Sequence, residues 1–183
     1  VRDCWASLWT DRAIWYRAGH GVDPAGLSLA VVVQRLVPAD AAGVLFTANP
    51  ANGRTEETVI TAAWGLGEAV VSGSVDTDTI IVRTADGEVL SREVADKAIR
   101  VDPAATSGER TRTSDNPEHL RRAAVLDDAD AVRLTGIAAA IAEHFGRPQD
   151  IEWVLAGGEF SIVQSRPITA LPERVGDVPS EWP

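Results

Sequence analysis

The segment that most constrains this chain lies near its carboxy end. Residues 149–167 carry two runs of alternating polar and apolar residues on either side of Gly157-Gly158. A period of two puts successive side chains on opposite faces, and a Gly-Gly pair supplies a turn, so the segment reads as a β-hairpin. Register then decides what the polar positions can do. With a loop of odd length centred on Gly158, such as Gly157 to Glu159, Glu152 opposes Gln164 and Asp150 opposes Arg166. All four side chains then share one face. A two-residue Gly157-Gly158 turn would shift the pairing by one and send Glu152 and Gln164 to opposite faces. A carboxylate beside an amide oxygen suits Mg²⁺, a hard ion that takes oxygen ligands and keeps several waters. An arginine two residues on can grip phosphate oxygens with its planar fork. On pattern alone, a polar hairpin face turned to water accounts for the same residues and is the commoner case.

Upstream, residues 4 to 18 place Trp5, Leu8, Trp9 and Arg12 on one face of a helix that Gly19 and Gly21 stop. Leu29 to Val37 reads as a buried strand, stopped by Pro38. Gly43 to Thr47 and Glu57 to Ala63 read as further strands, with Asn52-Gly53 turning between them. Thr79 to Thr84 and Val89 to Val94 flank Asp86-Gly87 and predict a second hairpin. Asp102 to Glu118, rich in Pro, Thr, Ser, Gly and charge, reads as a loop. A helix capped by Asp127 or Asp128 runs to about Phe145. Leu134, Ile137, Ala138, Ile141 and Phe145 form its stripe, and Gly146 ends it. The residues from 171 to 183 hold three prolines and read as a linker. Hairpins dominate and βαβ units are absent, which predicts an α+β fold rather than a Rossmann fold.

Composition narrows the function classes. Of 183 residues, 27 are acidic and 17 basic, a net charge of -10, which argues against non-specific nucleic-acid binding. The single cysteine, Cys4, excludes an internal disulfide and any cysteine-rich metal site, and a reducing, cytoplasmic setting fits. No run of apolar residues is long enough to span a membrane. No signal peptide and no methionine open the chain, and residues 1 to 15 read like the middle of a domain. A piece of a larger protein is therefore the expectation.

Two further motifs matter. Gly65-Leu66-Gly67-Glu68 lets the backbone approach a ligand, although neither a dinucleotide fingerprint nor a P-loop is present, and a structural turn fits it as well. Val33-Gln34-Arg35-Leu36-Val37 could offer its backbone edge to a purine, or could simply be a core strand. His20, His119 and His144 lack partners at any catalytic spacing and read as structural. Trp5 and Trp9, one helical turn apart, read as packing residues.

In order, these stretches resemble one family: the ATP-binding, ATP-grasp domain of phosphoenolpyruvate synthase, pyruvate phosphate dikinase and rifampin phosphotransferase. The similar segments start at Cys4 (Cys-Trp-Ala-Ser-Leu-Trp-Thr-Asp-Arg-Ala), Val33 (Val-Gln-Arg-Leu-Val) and Ala42 (Ala-Gly-Val-Leu-Phe-Thr-Ala-Asn-Pro). Others start at Gly65 (Gly-Leu-Gly-Glu-Ala-Val-Val-Ser-Gly), Gln149 (Gln-Asp-Ile-Glu-Trp) and Val163 (Val-Gln-Ser-Arg-Pro-Ile-Thr). The resemblance implies that residues 1–170 are the carboxy-terminal part of an ATP-grasp domain, mainly antiparallel sheet with flanking helices. It implies Glu152 and Gln164 as Mg²⁺ ligands and Arg166 as the catalytic phosphate-binding residue. Gln34 would edge the adenine of ATP, and Glu68 would be a weaker nucleotide contact. Lys97, the one lysine, matches a position often occupied by Lys, without a defined role. The implied partners are the nucleotide, an amino-terminal ATP-grasp lobe and a swivelling histidine domain. The implied activity takes ATP to AMP and phosphate and passes the β-phosphate through that histidine to pyruvate or a rifamycin-like acceptor. The alternative is a non-catalytic nucleotide-binding or interaction module of the same fold.

Overall fold

The computed structural model describes residues 1–104 and 110–172. They fall into two units, one of residues 1–36 and one beginning at Val37.

In the first unit the expected single helix is broken. Helix α1 spans Arg2–Ala6, a 3₁₀ turn covers Ser7–Trp9, and helix α2 spans Asp11–Gly19. Thr10 is the cause: its backbone turns extended, with ψ 150°, and its hydroxyl accepts from the Ala13 N–H at 3.4 Å. A threonine that caps one helix must leave the helix before it. The expectation of a buried strand over Leu29–Val37 is not met. No described strand pairs with this stretch, and Val32 and Val33 are 79% and 85% exposed. A β-branched run forms a strand only where a neighbouring backbone takes its hydrogen bonds. Trp5, Trp9 and Trp15 are exposed as well, and no side chain of residues 1–36 is buried.

The second unit is built on a six-stranded antiparallel sheet of order β4-β3-β2-β1-β7-β8. The strands are β1 (Ala41–Phe46), β2 (Glu57–Trp64), β3 (Asp78–Arg83), β4 (Val89–Glu93), β7 (Gln149–Ala156) and β8 (Glu159–Pro167). The short helix α3 (Glu68–Val71) lies between β2 and β3. The chain then leaves the sheet through β5 (Ile99–Pro103), β6 (Thr111–Asp115), α4 (Glu118–Arg121) and α5 (Asp128–Phe145), and returns beside β1. The stretch expected as a loop from Asp102 to Glu118 thus contains β6, paired with β5 in a two-stranded sheet. Cross-strand bonding explains it: Ser114 donates to Asp102 at 3.2 Å, and Asp102 is held in place by Arg100 of its own strand. The expected linker lies, from residue 173 on, outside the described residues.

Helix α5 starts where expected. The Asp127 carboxylate accepts from Asp130 N–H at 2.7 Å, and Gly146 closes the helix in the left-handed conformation, φ +65°. Its buried side is Ala131, Leu134, Thr135 and Ala138, while Phe145 is 53% exposed. This side covers one face of the sheet, where Leu45, Ile60, Ile80, Ile151 and Trp153 are fully buried. Burying each such side chain contributes roughly 1.5–3 kcal/mol. Gly43 is required here: a Cβ would lie 1.8 Å from the Thr61 carbonyl oxygen and 2.7 Å from the Trp153 ring. On the opposite face a second cluster joins Ala42, Leu66, Ala69, Val101 and Val154.

The hairpin β7–β8 departs from expectation in one respect and meets it in another. The turn is the two-residue one, with Ala156 opposite Glu159 and positive φ at Gly157 (+58°) and Gly158 (+80°), a type I′ turn. Alone, it would have put Glu152 opposite Val163. The ladder shifts by one residue between Glu152 and Trp153, however, leaving Val163 as the extra residue of a β-bulge. Beyond the bulge, Glu152 faces Gln164 and Asp150 faces Arg166.

Candidate functional site

Cross-strand register lays out two adjacent rows on the sheet face away from α5. One row runs Thr79, Thr61, Val44, Glu152, Gln164, and the next runs Ile81, Val59, Phe46, Asp150, Arg166. The intervening row, Ile80, Ile60, Leu45, Ile151, Ser165, points to the helix side. Apolar residues on both faces of β1 and β2 mark a sheet covered on both sides. At the β7–β8 end that apolar floor gives way to charge.

A cleft of about 330 Å³ opens over these rows. Val44, Phe46 and Thr61 line its floor, Val70, Val71 and Val75 one wall, and Asp150, Glu152 and Arg166 the polar end. The wall comes from the end of α3 and the residues after it. The entry to α3 is fixed by Gly65, which bridges to Val101 with φ +85°, and by the Leu66 N–H donating to the Val101 carbonyl at 2.8 Å. A Cβ on Gly65 would lie 2.3 Å from that carbonyl oxygen, so the position demands glycine.

Arg166 does not project alone. Its Nε donates to Asp150 Oδ2 at 2.9 Å, and Nη2 lies 2.7 Å from the same oxygen in an ion pair. Asp150 is 12% exposed and Arg166 64%. One of five guanidinium N–H groups is so engaged, and the outer edge can serve a ligand. Among the described residues none hydrogen-bonds to the Glu152 carboxylate or the Gln164 amide. A partnerless carboxylate across from an amide oxygen fits a hard divalent ion. No cluster of three His, Cys, Asp or Glu that could hold a metal occurs among the described residues.

Glu68 is the exposed first residue of α3, while the cleft takes Val70 and Val71 from that helix. Gln34 belongs to the first unit, exposed on a stretch without strand pairing. Lys97 is fully buried in an ion pair with Asp78. Sequence reasoning missed the valine wall, because nothing in Glu-Ala-Val-Val signals that Val70 and Val71 flank a cleft rather than a core. It also missed the apolar floor, although the unbroken Val-Leu-Phe run of β1 announces a strand with two covered faces. Away from the cleft, Glu57 is a buried carboxylate. Burial pushes its pKa up, but hydrogen bonds from Arg54, Asn49 and Asn52 outweigh burial and hold it below the ordinary value.

Comparison with known proteins gives a consistent picture. The family model described as "Pyruvate phosphate dikinase, AMP/ATP-binding domain" matches residues 1–181. A rifampicin phosphotransferase of a Streptomyces species is 48% identical over 181 residues, covering 97% of this chain and 20% of that protein. A probable phosphoenolpyruvate synthase of Methanocaldococcus jannaschii is 43% identical over 171 residues, 93% of this chain and 14% of that protein. A rifampicin phosphotransferase of Bacillus subtilis is 43% identical over 171 residues, with 93% and 19% covered. The chain thus spans about a fifth or less of the length of these curated relatives. With a family model spanning nearly its whole length, the chain belongs to the pyruvate phosphate dikinase AMP/ATP-binding domain family.

Proposed function

We propose that this chain is the nucleotide-binding part of a dikinase-type phosphotransferase in the cytoplasm. The whole protein would take ATP to AMP and phosphate. The β-phosphate would pass through a histidine of a separate, swivelling domain to pyruvate or a rifamycin-like acceptor. What carries the reading is the gathering of Asp150, Glu152 and Arg166 at the polar end of one cleft, with Gln164 paired across from Glu152. Family membership and the names of the relatives support the same reaction class.

In this reading Glu152 and Gln164 hold Mg²⁺ through their oxygens, and the ion, when bound, neutralises and orients the phosphates. The free edge of the Arg166 guanidinium takes phosphate oxygens. The valine wall and the floor of Val44 and Phe46 exclude water, which strengthens each charge contact. Gln34 edges the adenine and Glu68 contributes a weaker contact. An amino-terminal lobe would supply the opposing side of the nucleotide. Phosphoryl transfer asks for little beyond such positioning and charge stabilisation. The test is to supply the full-length protein with Mg-ATP and either pyruvate or a rifamycin, and to identify the nucleotide product. AMP with inorganic phosphate is the expected result. ADP, or no turnover with either acceptor, would overturn the reading.

A further inference from the structure

We propose that Asp150 is a positioning residue for Arg166: it holds the guanidinium in one orientation and touches neither metal nor nucleotide itself. The inference rests on the function proposed above. An arginine side chain has four rotatable bonds, and one that is 64% exposed on an edge strand would sample many rotamers in the absence of an anchor. The register of β7 and β8 puts Asp150 directly opposite Arg166, whose Nε donates to Oδ2 while Nη2 lies 2.7 Å from the same oxygen. That contact uses the Nε edge of the fork and turns the other edge outward. The pair also borders a second cleft of about 300 Å³, lined by Pro167 to Ala170, so the guanidinium stands between two open spaces. Asp150 is largely covered, next to Phe46 in its row, and so is itself held still. Glu152 shows the contrast: it points into the same cleft and has no protein partner among the described residues. One carboxylate is thus committed to the arginine and the other is left for the ion.

A double-mutant cycle in the full-length protein separates this role from direct ligation. The measurements are kcat/KM for ATP, from AMP formed, and the Mg²⁺ concentration giving half-maximal rate. Arg166→Ala is expected to lower kcat/KM about 100-fold. Asp150→Ala is expected to lower it about tenfold, the range for a residue that orients a ligand-binding group. Combined, the two should fall within about twofold of Arg166→Ala alone, because the aspartate has nothing left to orient. The Mg²⁺ requirement of Asp150→Ala should match wild type. Asp150→Asn, which retains an oxygen acceptor, should recover part of the loss and guards against a folding artefact. Multiplying losses in the double variant, or a raised Mg²⁺ requirement in Asp150→Ala, would overturn the positioning role and leave the function standing. An Arg166→Ala enzyme with wild-type kcat/KM would overturn both the positioning role of Asp150 and the phosphate contact given to Arg166.

Discussion

Asp78–Lys97 and Asp150–Arg166 are the same chemistry on opposite faces of one sheet. Asp78 projects from the face covered by α5, and both it and Lys97 are entirely buried. Every polar atom there is used. Asp78 Oδ1 accepts from Lys97 and from the Ala95 N–H, Oδ2 accepts from the Val125 N–H at 2.8 Å, and Lys97 also donates to the Ala95 carbonyl. The pair fastens the start of β3 to the segments before β5 and before α5. Asp150–Arg166 sits on the open face with one guanidinium edge unspent. Saturation and burial therefore separate a structural ion pair from one available to a ligand. Identity of residue type does not.

The comparison breaks most visibly at Lys97. Lys97→Met should destabilise the fold by about 3–5 kcal/mol, since it leaves Asp78 charged and unpaired in the core. Urea unfolding would measure this. A loss below 1 kcal/mol would mean the pair is not what fastens these segments. Glu152→Ala tests the other face. It should lower phosphoryl transfer at least ~100-fold, about 2.7 kcal/mol of barrier, while stability changes by less than about 0.5 kcal/mol. An equally large loss of stability would put Glu152 in the structural class.

Glu57 lies between the extremes, a buried acid with an exposed arginine partner. Its native pKa is below the ordinary value, so the stability it contributes is complete above about pH 4.5 and is lost as pH falls through its lower native value. Glu57→Gln should cost about 1–2 kcal/mol at neutral pH and flatten the acid limb of the stability curve. Chemical denaturation across that range would show it, and an unchanged acid limb would contradict it. The smallest effect belongs to Asp128, which is 77% exposed opposite Arg92. Asp128→Asn should shift stability by less than about 0.5 kcal/mol, and that little should fade with added salt.

Legibility from sequence followed these physical differences. The hairpins and α5 with its Asp127 cap were readable, because alternation, caps and turn glycines are local signals. The strand expected at Leu29–Val37 failed because pairing depends on a neighbour that no local pattern reveals. Strand β6 hid inside a polar stretch for the converse reason. Lys97 offered no clue to its burial, since a lone lysine reads as surface until its aspartate is located. The correct face of Gln164 was inferred through a loop that does not exist: the surplus residue lies in the strand, not in the turn.

That surplus residue has a consequence for how the hairpin can vary. The tip is set by Gly157-Gly158, held from outside by Asp40 on the Gly157 N–H and by Arg133 on the Gly158 carbonyl, both at 2.7 Å. The base is set separately, by Ser165 donating to Gln149 and by Arg166 on Asp150. These two fixed ends disagree by one position, and Val163 is the expansion joint between them. A strand with such slack absorbs a residue gained or lost near its tip by closing or reopening the joint. The row of Glu152 and Gln164 need not follow, so the outer end of this hairpin is free to change length while the pairings at its foot stay in place.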